Sequence, residues 1–283
     1  MNSIADVTII GGDSFIGRNL YNYLENLGLE VCCTSHKNKT DFLNLNLLDN
    51  SSKWPRIKSK VAIICAGVTS IKKCNLNKES YAINVNSTIK LIDRLTSEGI
   101  FTIFLSSSQV FNGMMPNSSR ENSCNPLSVY GEHKYLVEKK IKEDISNKCI
   151  LRITKIINKS LPLFHNIYSK LNDGKKIKVF KNYFISPVTI DLTCEIILKI
   201  IKLKKEGIYQ LSSSDQISYY DMANLYVKNL GLDYNLIEGT NAKAFEIGLN
   251  YIPKYSYLEM DKEKLFFNFD QPTSKFSINS ILN

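Results

Sequence analysis

The chain has 283 residues, 43% hydrophobic and 22% charged, which is enough for one large α/β domain or a domain with a smaller appendage. Its longest apolar runs, such as Ile100 to Leu105, fall far short of the roughly 18 residues a membrane span needs, and the opening MNSIADVTII lacks the basic stretch of a secretory signal; a cytoplasmic protein with no membrane partner is expected. The formal net charge is +9, but the lysines are scattered among Asn and Ile, which fits a solvated surface better than nucleic-acid binding.

Val7 to Ile10 reads as a short buried strand that runs straight into GGDSFIGRNL. Leu20, Leu24 and Leu27 then mark the face of a helix ended by Gly28. Strand, glycine turn and helix form the context in which glycines bind a dinucleotide: the turn must be tight, the backbone must approach the pyrophosphate, and the helix N-terminus favours its charge. Gly11, Ser14, Phe15, Ile16 and Gly17 are the candidate contacts. The plain alternative is a turn that merely joins strand to helix. Glu30 to Thr34 reads as the second strand, followed by Ser35, His36 and Lys37. No carboxylate stands at this strand end to hold a ribose 2′-hydroxyl, and a basic residue suits a 2′-phosphate, so NADPH is expected over NADH. Next come LNLNLLD, with Asn46 and Leu47, and a fourth strand from Val61 to Cys65. That strand opens into Ala66-Gly67-Val68-Thr69, where Cys65, Ala66 and Gly67 would let backbone meet the coenzyme. A long helix is expected from about Lys78 to Glu98, carrying Asn84.

The segment from Phe101 onward begins as a strand in which Phe101, Ile103 and Leu105 alternate with Thr102 and Phe104, and its apolar run stops at Ser106, Ser107 and Ser108. After Pro126 the spacing becomes helical, with Tyr130, Lys134, Val137, Glu138 and Ile141 on one face. A hydroxyl at a strand's carboxyl end and a Tyr/Lys pair one helical turn apart are what a carbonyl reductase needs. Tyr-x-x-x-Lys alone is weak, since Tyr135 and Lys139 repeat the spacing. Cys149 to Ile153 reads as a sixth strand. The seven cysteines form no C-x-x-C pair, several lie in strand-like runs, and the three histidines lack metal-ligand spacing; buried thiols and no metal are expected.

Several of these motifs resemble the extended short-chain dehydrogenases/reductases. Gly11-x-x-Ser14-x-x-Gly17 resembles their G-x-x-G-x-x-G, with Ser14 at the middle glycine; Asn46-Leu47 resembles the adenine-flanking pair, and Asn84-Val85 matches their NV. VYGEHK resembles YG-x-x-K and selects Tyr130 over Tyr135, while SSSQVFNG resembles STDYVFDG and places Ser107 at the catalytic Thr or Ser. Further on, FISPVTIDLT, GIYQLSSS and IPKYSYLEMDKEKL resemble the SPT-x-x-x-DLA, GIYHLSG and RP-x-x-S-x-LD-x-x-KL segments of dTDP-4-dehydrorhamnose reductases. The resemblance covers nearly the whole chain.

It implies an α/β fold, a Rossmann-like doubly wound parallel sheet over residues 1–160 completed by 184–212, with a smaller substrate-binding region in 161–283 and a cleft between. It implies catalysis by Ser107, Tyr130 and Lys134, with the Lys134 cation lowering the Tyr130 pKa and holding the nicotinamide ribose. Tyr130, Lys134 and Asn84 join the coenzyme contacts, and Thr69, Asn112, Lys155 and Ser186 face substrate. The implied activity is NADPH-dependent reduction of a keto group on a nucleotide-linked deoxysugar for surface polysaccharide. Ser108-Gln109 departs from the family's D-Y, and LRITKIIN departs from LRTSWVYG so that Lys155 replaces an aromatic residue. The alternatives are an epimerase of the same superfamily and a coenzyme-binding regulatory subunit without turnover, as in the similar regulatory β subunit of methionine adenosyltransferase. A homodimer is compatible with the resemblance.

Overall fold

The computed structural model describes residues 4–37 and 39–282. Its first elements are β1 (Ala5–Ile10), α1 (Phe15–Asn26), β2 (Val31–Ser35), β3 (Leu43–Asn44) and β4 (Ser59–Ile64), then α2 (Ile71–Leu76), α3 (Glu79–Tyr81), a π-helical segment (Ala82–Ser87) and α4 (Thr88–Ser97). β5 (Phe101–Ser107), α5 (Val129–Glu143) and β6 (Lys148–Ile153) follow. Next are β7 (Lys155–Ile157), α6 (Pro162–Asn172), β8 (Ile177–Phe180), β9 (Phe184–Ile185), β10 (Pro187–Thr189), α7 (Ile190–Leu203) and β11 (Gly207–Leu211). The chain closes with β12 (Ile217–Ser218), α8 (Tyr219–Asn229), β13 (Ile237–Thr240), α9 (Asp261–Phe267) and α10 (Ser274–Ser280).

Seven strands form one sheet in the order β11-β6-β5-β4-β1-β2-β3. The β1–β2, β1–β4, β2–β3 and β4–β5 pairs are all parallel. β1 lies between β2 and β4, so the strand order reverses beside it. In an open α/β sheet this switch point is where a ligand meets the carboxyl ends of the strands. Strands covered on both faces read as continuous apolar runs, and β5 does so: Phe101 to Ser106 are all buried. The alternation expected there is overridden, since Thr102 is only 1% exposed and returns its hydroxyl to the Ile100 carbonyl at 3.1 Å. The expected helix from Lys78 to Glu98 is helical but not uniform, because a π-helical segment interrupts it at Asn84. Among the described residues no helix is long and apolar enough to cross a membrane.

The chain divides into two compact units. The first holds the residues up to Val110 with Ser128–Arg152 and Cys194–Tyr209; the second holds Phe111–Leu127, Ile153–Thr193 and the chain from Gln210 on. The division falls after Arg152 rather than at residue 160, and it places β9 and β10 in the second unit. Residues 111–127 belong there because Ser118 bridges to Leu258 and Arg120 pairs with the buried Glu263 at 3.1 Å. The second unit has its own core, in which Phe164, Ile167, Met222, Val227, Ile237 and Ile278 pack together. Three short pairs, β7–β10, β8–β13 and β9–β12, supply its strands.

Within the first unit, α5 starts at Ser128, whose hydroxyl caps the helix by accepting from the Gly131 N–H at 3.0 Å. Two turns further along, α5 carries Glu138, which is fully buried and grips Arg152 of β6 with contacts of 2.7 to 3.2 Å. Ser106 of β5 donates to the same carboxylate at 2.6 Å. Removing one member of a buried ion pair leaves the other charge uncompensated, at a cost of about 3–5 kcal/mol. Arg152→Met should therefore lose about that much stability in urea unfolding, whereas Glu138→Leu combined with Arg152→Met should lose far less. Equal losses in the single and double variants would show that an uncompensated charge is not the cause.

Candidate active site

Unit one brings the glycine turn and the Ser/Tyr/Lys trio to the carboxyl ends of neighbouring strands. Gly11 adopts φ +87°, and a Cβ on it would sit 2.8 Å from the backbone of Ala66, so only glycine lets the turn after β1 lie against the turn after β4. A Cβ on Gly17 would collide with the Gly11 carbonyl, which closes α1 onto the turn. The Gly11 and Gly12 N–H groups donate to Thr34, at 3.1 Å to its hydroxyl and 2.9 Å to its carbonyl. Ser14 caps α1 by accepting from the Gly17 N–H at 3.0 Å, and its own proton remains available to an anion. The first N–H groups of the helix, at Phe15 and Ile16, have no intrahelical carbonyl to reach and face the place where a phosphate is favoured. Glycines that exclude a Cβ and an open helix N-terminus fit a dinucleotide's pyrophosphate.

At the end of β2, Ser35 is buried and its hydroxyl accepts from the Lys37 N–H at 3.0 Å, while His36 and Lys37 are exposed. Here the sequence reading missed a residue. Asp13, in the glycine turn, comes within 3.8 Å of the Lys37 ammonium, so a carboxylate does stand beside this strand end, contributed from 24 positions upstream (37 − 13). Asn46 shapes the turn after β3 by accepting from the Leu48 N–H and, through its carbonyl, from Trp54 Nε1, and Leu47 is buried.

Ser107 ends β5, and the Tyr130 hydroxyl is hydrogen-bonded to its side chain. Lys134, one turn further along α5, donates from Nζ to the Leu105 carbonyl at 2.8 Å and lies over the Phe104 ring at 4.6 Å and the Tyr130 ring at 5.8 Å. All three side chains belong to half-buried residues. Lys139 of the competing pair is exposed, and it is Tyr130 and Lys134 that reach β5. Burial drives the Lys134 ammonium down to about 8, partly offset by Cys65, Glu138 and Cys74. Tyr130 moves opposite to the expected direction. Burial first, and then Cys74, raise its phenol above the usual tyrosine value, and the Ser107 hydrogen bond only partly offsets them. The reason is that the ammonium is directed at a backbone carbonyl rather than at the phenol oxygen, so Tyr130 is a firmly protonated donor.

Asn84 is 5% exposed and spends its amide on the turn after β4, accepting from the Val68 N–H at 2.7 Å and donating to the Val68 carbonyl at 2.8 Å. Gly67 and Thr69 are exposed, and Cys65 and Ala66 are half-buried. In unit two, Asn112 caps its own loop by accepting from the Met114 N–H at 3.0 Å. Lys155 is exposed on β7, and burial alone lowers its ammonium, with no acidic side chain to offset it. Ser186 does not meet the expectation of a substrate contact. It is 1% exposed, and its hydroxyl is taken up by the Asp215 carbonyl at 2.6 Å and by Ser212 and Ser213 in the loop after β11.

The family described as RmlD substrate binding domain matches residues 5–283. The chain belongs to that family. The chain is also similar in structure, over 99% of both chains with a TM-score of 0.85 and 19% identity, to dTDP-4-dehydrorhamnose reductase from Bacillus anthracis in complex with NADP. Among curated proteins it is 24% identical over 240 residues to the spore coat polysaccharide biosynthesis protein SpsK of Bacillus subtilis, covering 83% of this chain and 82% of that one. It is 28% identical over 152 residues to methionine adenosyltransferase 2 subunit beta of Bos taurus, a match spanning 52% of this chain and 46% of that protein.

The Lys134 environment is directly measurable in this RmlD-family chain. After reductive ¹³C-methylation, a lysine resonance titrating near pH 8 should be present, and it should be missing in Lys134→Arg. A spectrum in which every lysine titrates above 10 would contradict the burial argument.

Proposed function

We propose that the chain is an NADPH-dependent reductase of a keto group on a nucleotide-linked deoxysugar, serving surface polysaccharide synthesis. The observation that carries this reading is the hydrogen-bonded Tyr130–Ser107 pair with Lys134 one turn away. The similarity to a dTDP-4-dehydrorhamnose reductase and to a spore coat polysaccharide biosynthesis protein supports the substrate class. Gly11, Gly17 and the start of α1 would hold the coenzyme's pyrophosphate, and Cys65 to Gly67 would line its path towards Lys134. Bound there, the coenzyme supplies hydride to the carbonyl carbon.

The chain's own residues handle the oxygen. Ser107 donates to the carbonyl oxygen and fixes its direction. Tyr130, kept neutral by burial, hands its proton to that oxygen as negative charge develops; an alkoxide is a far stronger base than a phenolate, so the raised phenol value does not prevent transfer. Lys134, one turn along α5 with its ammonium held at the Leu105 carbonyl, would be the proton source that restores the phenol. Lys155, exposed on β7 though its ammonium is partly desolvated, would pair with a phosphate or carboxylate of the substrate. The same trio would serve an epimerase, whereas a purely regulatory subunit has no need to keep it assembled.

With a panel of nucleotide-linked 4-keto-6-deoxysugars, Tyr130→Phe should lower kcat by about 10²–10⁴ with NADPH affinity nearly unchanged, and Tyr135→Phe should remain active. Lys155→Ala should raise the substrate KM by about tenfold to a hundredfold. Activity that survives Tyr130→Phe and is lost in Tyr135→Phe would reverse the assignment.

Coenzyme choice follows from the Asp13–Lys37 pair. Wild type should prefer NADPH; Lys37→Ala should weaken NADPH by about fivefold and leave NADH unchanged, and Asp13→Asn should tighten NADPH by a similar factor by releasing the cation. Equal affinities for both coenzymes in all three proteins would refute the preference.

A further inference from the structure

The turn after β4 is held by a relay that none of its members could supply alone. Because a backbone N–H can only donate and a carbonyl can only accept, the two-way bond between Asn84 and Val68 fixes which end of the amide is which: Oδ1 takes the Val68 N–H and Nδ2 gives one proton to the Val68 carbonyl. The second Nδ2 proton lies between His133 Nδ1 at 3.3 Å and Cys74 Sγ at 3.8 Å, and the nearer ring nitrogen is the stronger acceptor. That nitrogen must therefore be the acceptor, which leaves the ring proton on Nε2. His133 is 3% exposed and meets the Tyr81 ring edge-on, with centroids 5.5 Å apart. Asn84 sits in the π-helical segment, which turns its side chain off the regular helical path.

We propose that His133 is a positioning residue: as the neutral Nε2–H tautomer it accepts from Asn84 and, through Asn84, holds Gly67 and Val68 in the conformation that receives the coenzyme. This rests on the reading above that the 66–69 turn meets a nicotinamide coenzyme. Protonating Nδ1 would set a ring N–H against the amide N–H, two donors facing each other, and the relay would open. The charged and titratable groups around it are Glu132 and Lys134 on α5, Cys74 on α2, which also reaches the Val68 carbonyl, and Tyr81 on α3. Burial and Lys134 disfavour the imidazolium, and Glu132 favours it. Its folded pKa is thus depressed, so the relay stands through neutral pH and opens as pH falls below the ordinary histidine range. The unfolded chain takes up that proton more readily, so stability declines in the same direction.

Three measurements on the full chain test this. In coenzyme-free protein, ¹⁵N-histidine NMR should show His133 as the Nε2–H tautomer at pH 7.5; an Nδ1–H tautomer overturns the proposal. Hydrogen exchange at the Val68 amide should be about tenfold faster in His133→Leu, which removes the acceptor, and near wild type in His133→Asn, whose oxygen can replace Nδ1. NADPH titrations should find His133→Leu about tenfold weaker at pH 7.5. His133→Asn should lie within about twofold of wild type there, and between pH 7.5 and 5.5 it should lose less affinity than wild type does. Wild-type behaviour of His133→Leu overturns the proposal; if that variant does not fold, identical pH dependence of wild type and His133→Asn overturns it instead. Failure of wild type to bind either coenzyme sinks the coenzyme reading, and the Val68 exchange rates then decide the relay alone.

Discussion

The active-site helix is placed by one buried ion pair. Glu138 and Arg152 are both fully enclosed, and taking two charges out of water costs several kcal/mol per ion unless geometry and further hydrogen bonds compensate. Here the compensation is specific. The guanidinium meets the carboxylate through two nitrogens, and Ser106 adds a short hydroxyl bond to the same oxygen that Arg152 Nε reaches. The pair therefore ties α5 to β5 and to β6 at once. Apolar packing would let a helix slide or roll by a fraction of a turn; a bidentate contact does not. Tyr130 and Lys134 lie two turns and one turn before Glu138 on the same helical face, so their reach to Ser107 and Leu105 is fixed by a contact about 12 Å and about 6 Å away, respectively, along the helix axis.

The same carboxylate acts on the chemistry through charge. Burial drives Lys134 towards neutrality, and Glu138 is one of the groups that oppose it. With the ammonium brought to about 8, the lysine stays mostly charged at neutral pH while being far easier to deprotonate than a surface lysine. Tyr130 is pushed the other way. Donor and cation are thus driven apart in proton affinity: the phenol holds its proton more firmly and the lysine gives up its own more easily, so a proton lost by the phenol can be replaced from its neighbour.

Much of this was legible in the sequence because it depends on local spacing. The glycine turn, the end of β5 and the Tyr130/Lys134 face are each written within a dozen residues, and the sheet order follows from strands alternating with helices. What escaped depends on residues far apart in the chain. Asp13 reaches Lys37, Glu138 reaches Arg152, and Asn84 reaches both Val68 and His133, and no periodicity announces such pairs. The π-helical segment was invisible for a related reason: AINVNS has ordinary helical propensity, and it is the bonds made by Asn84 that reward the extra residue in the turn. Ser186 was expected to face substrate only through the resemblance, and a local motif does not show that its hydroxyl is taken up by Ser212, Ser213 and the Asp215 carbonyl, some 26 to 29 positions on.

Fold alone does not choose among reduction, epimerisation and regulation, because function is carried by sites grafted on the fold. The residues do discriminate. A regulatory chain needs the glycine turn and the Asn84 relay to keep its coenzyme, but it gains nothing from a tyrosine hydroxyl bonded to Ser107 or from an ammonium held in a desolvated place, both of which cost stability. An epimerase must return hydride to the sugar it came from, so it needs a coenzyme that does not leave, whereas a reductase must exchange its coenzyme at every turnover. On the proposed reading, the exposed Lys37, tempered by Asp13 rather than locked in a buried pair, would offer a 2′-phosphate a contact of modest strength, and a coenzyme held modestly at that end could be exchanged at each turnover, as reduction requires.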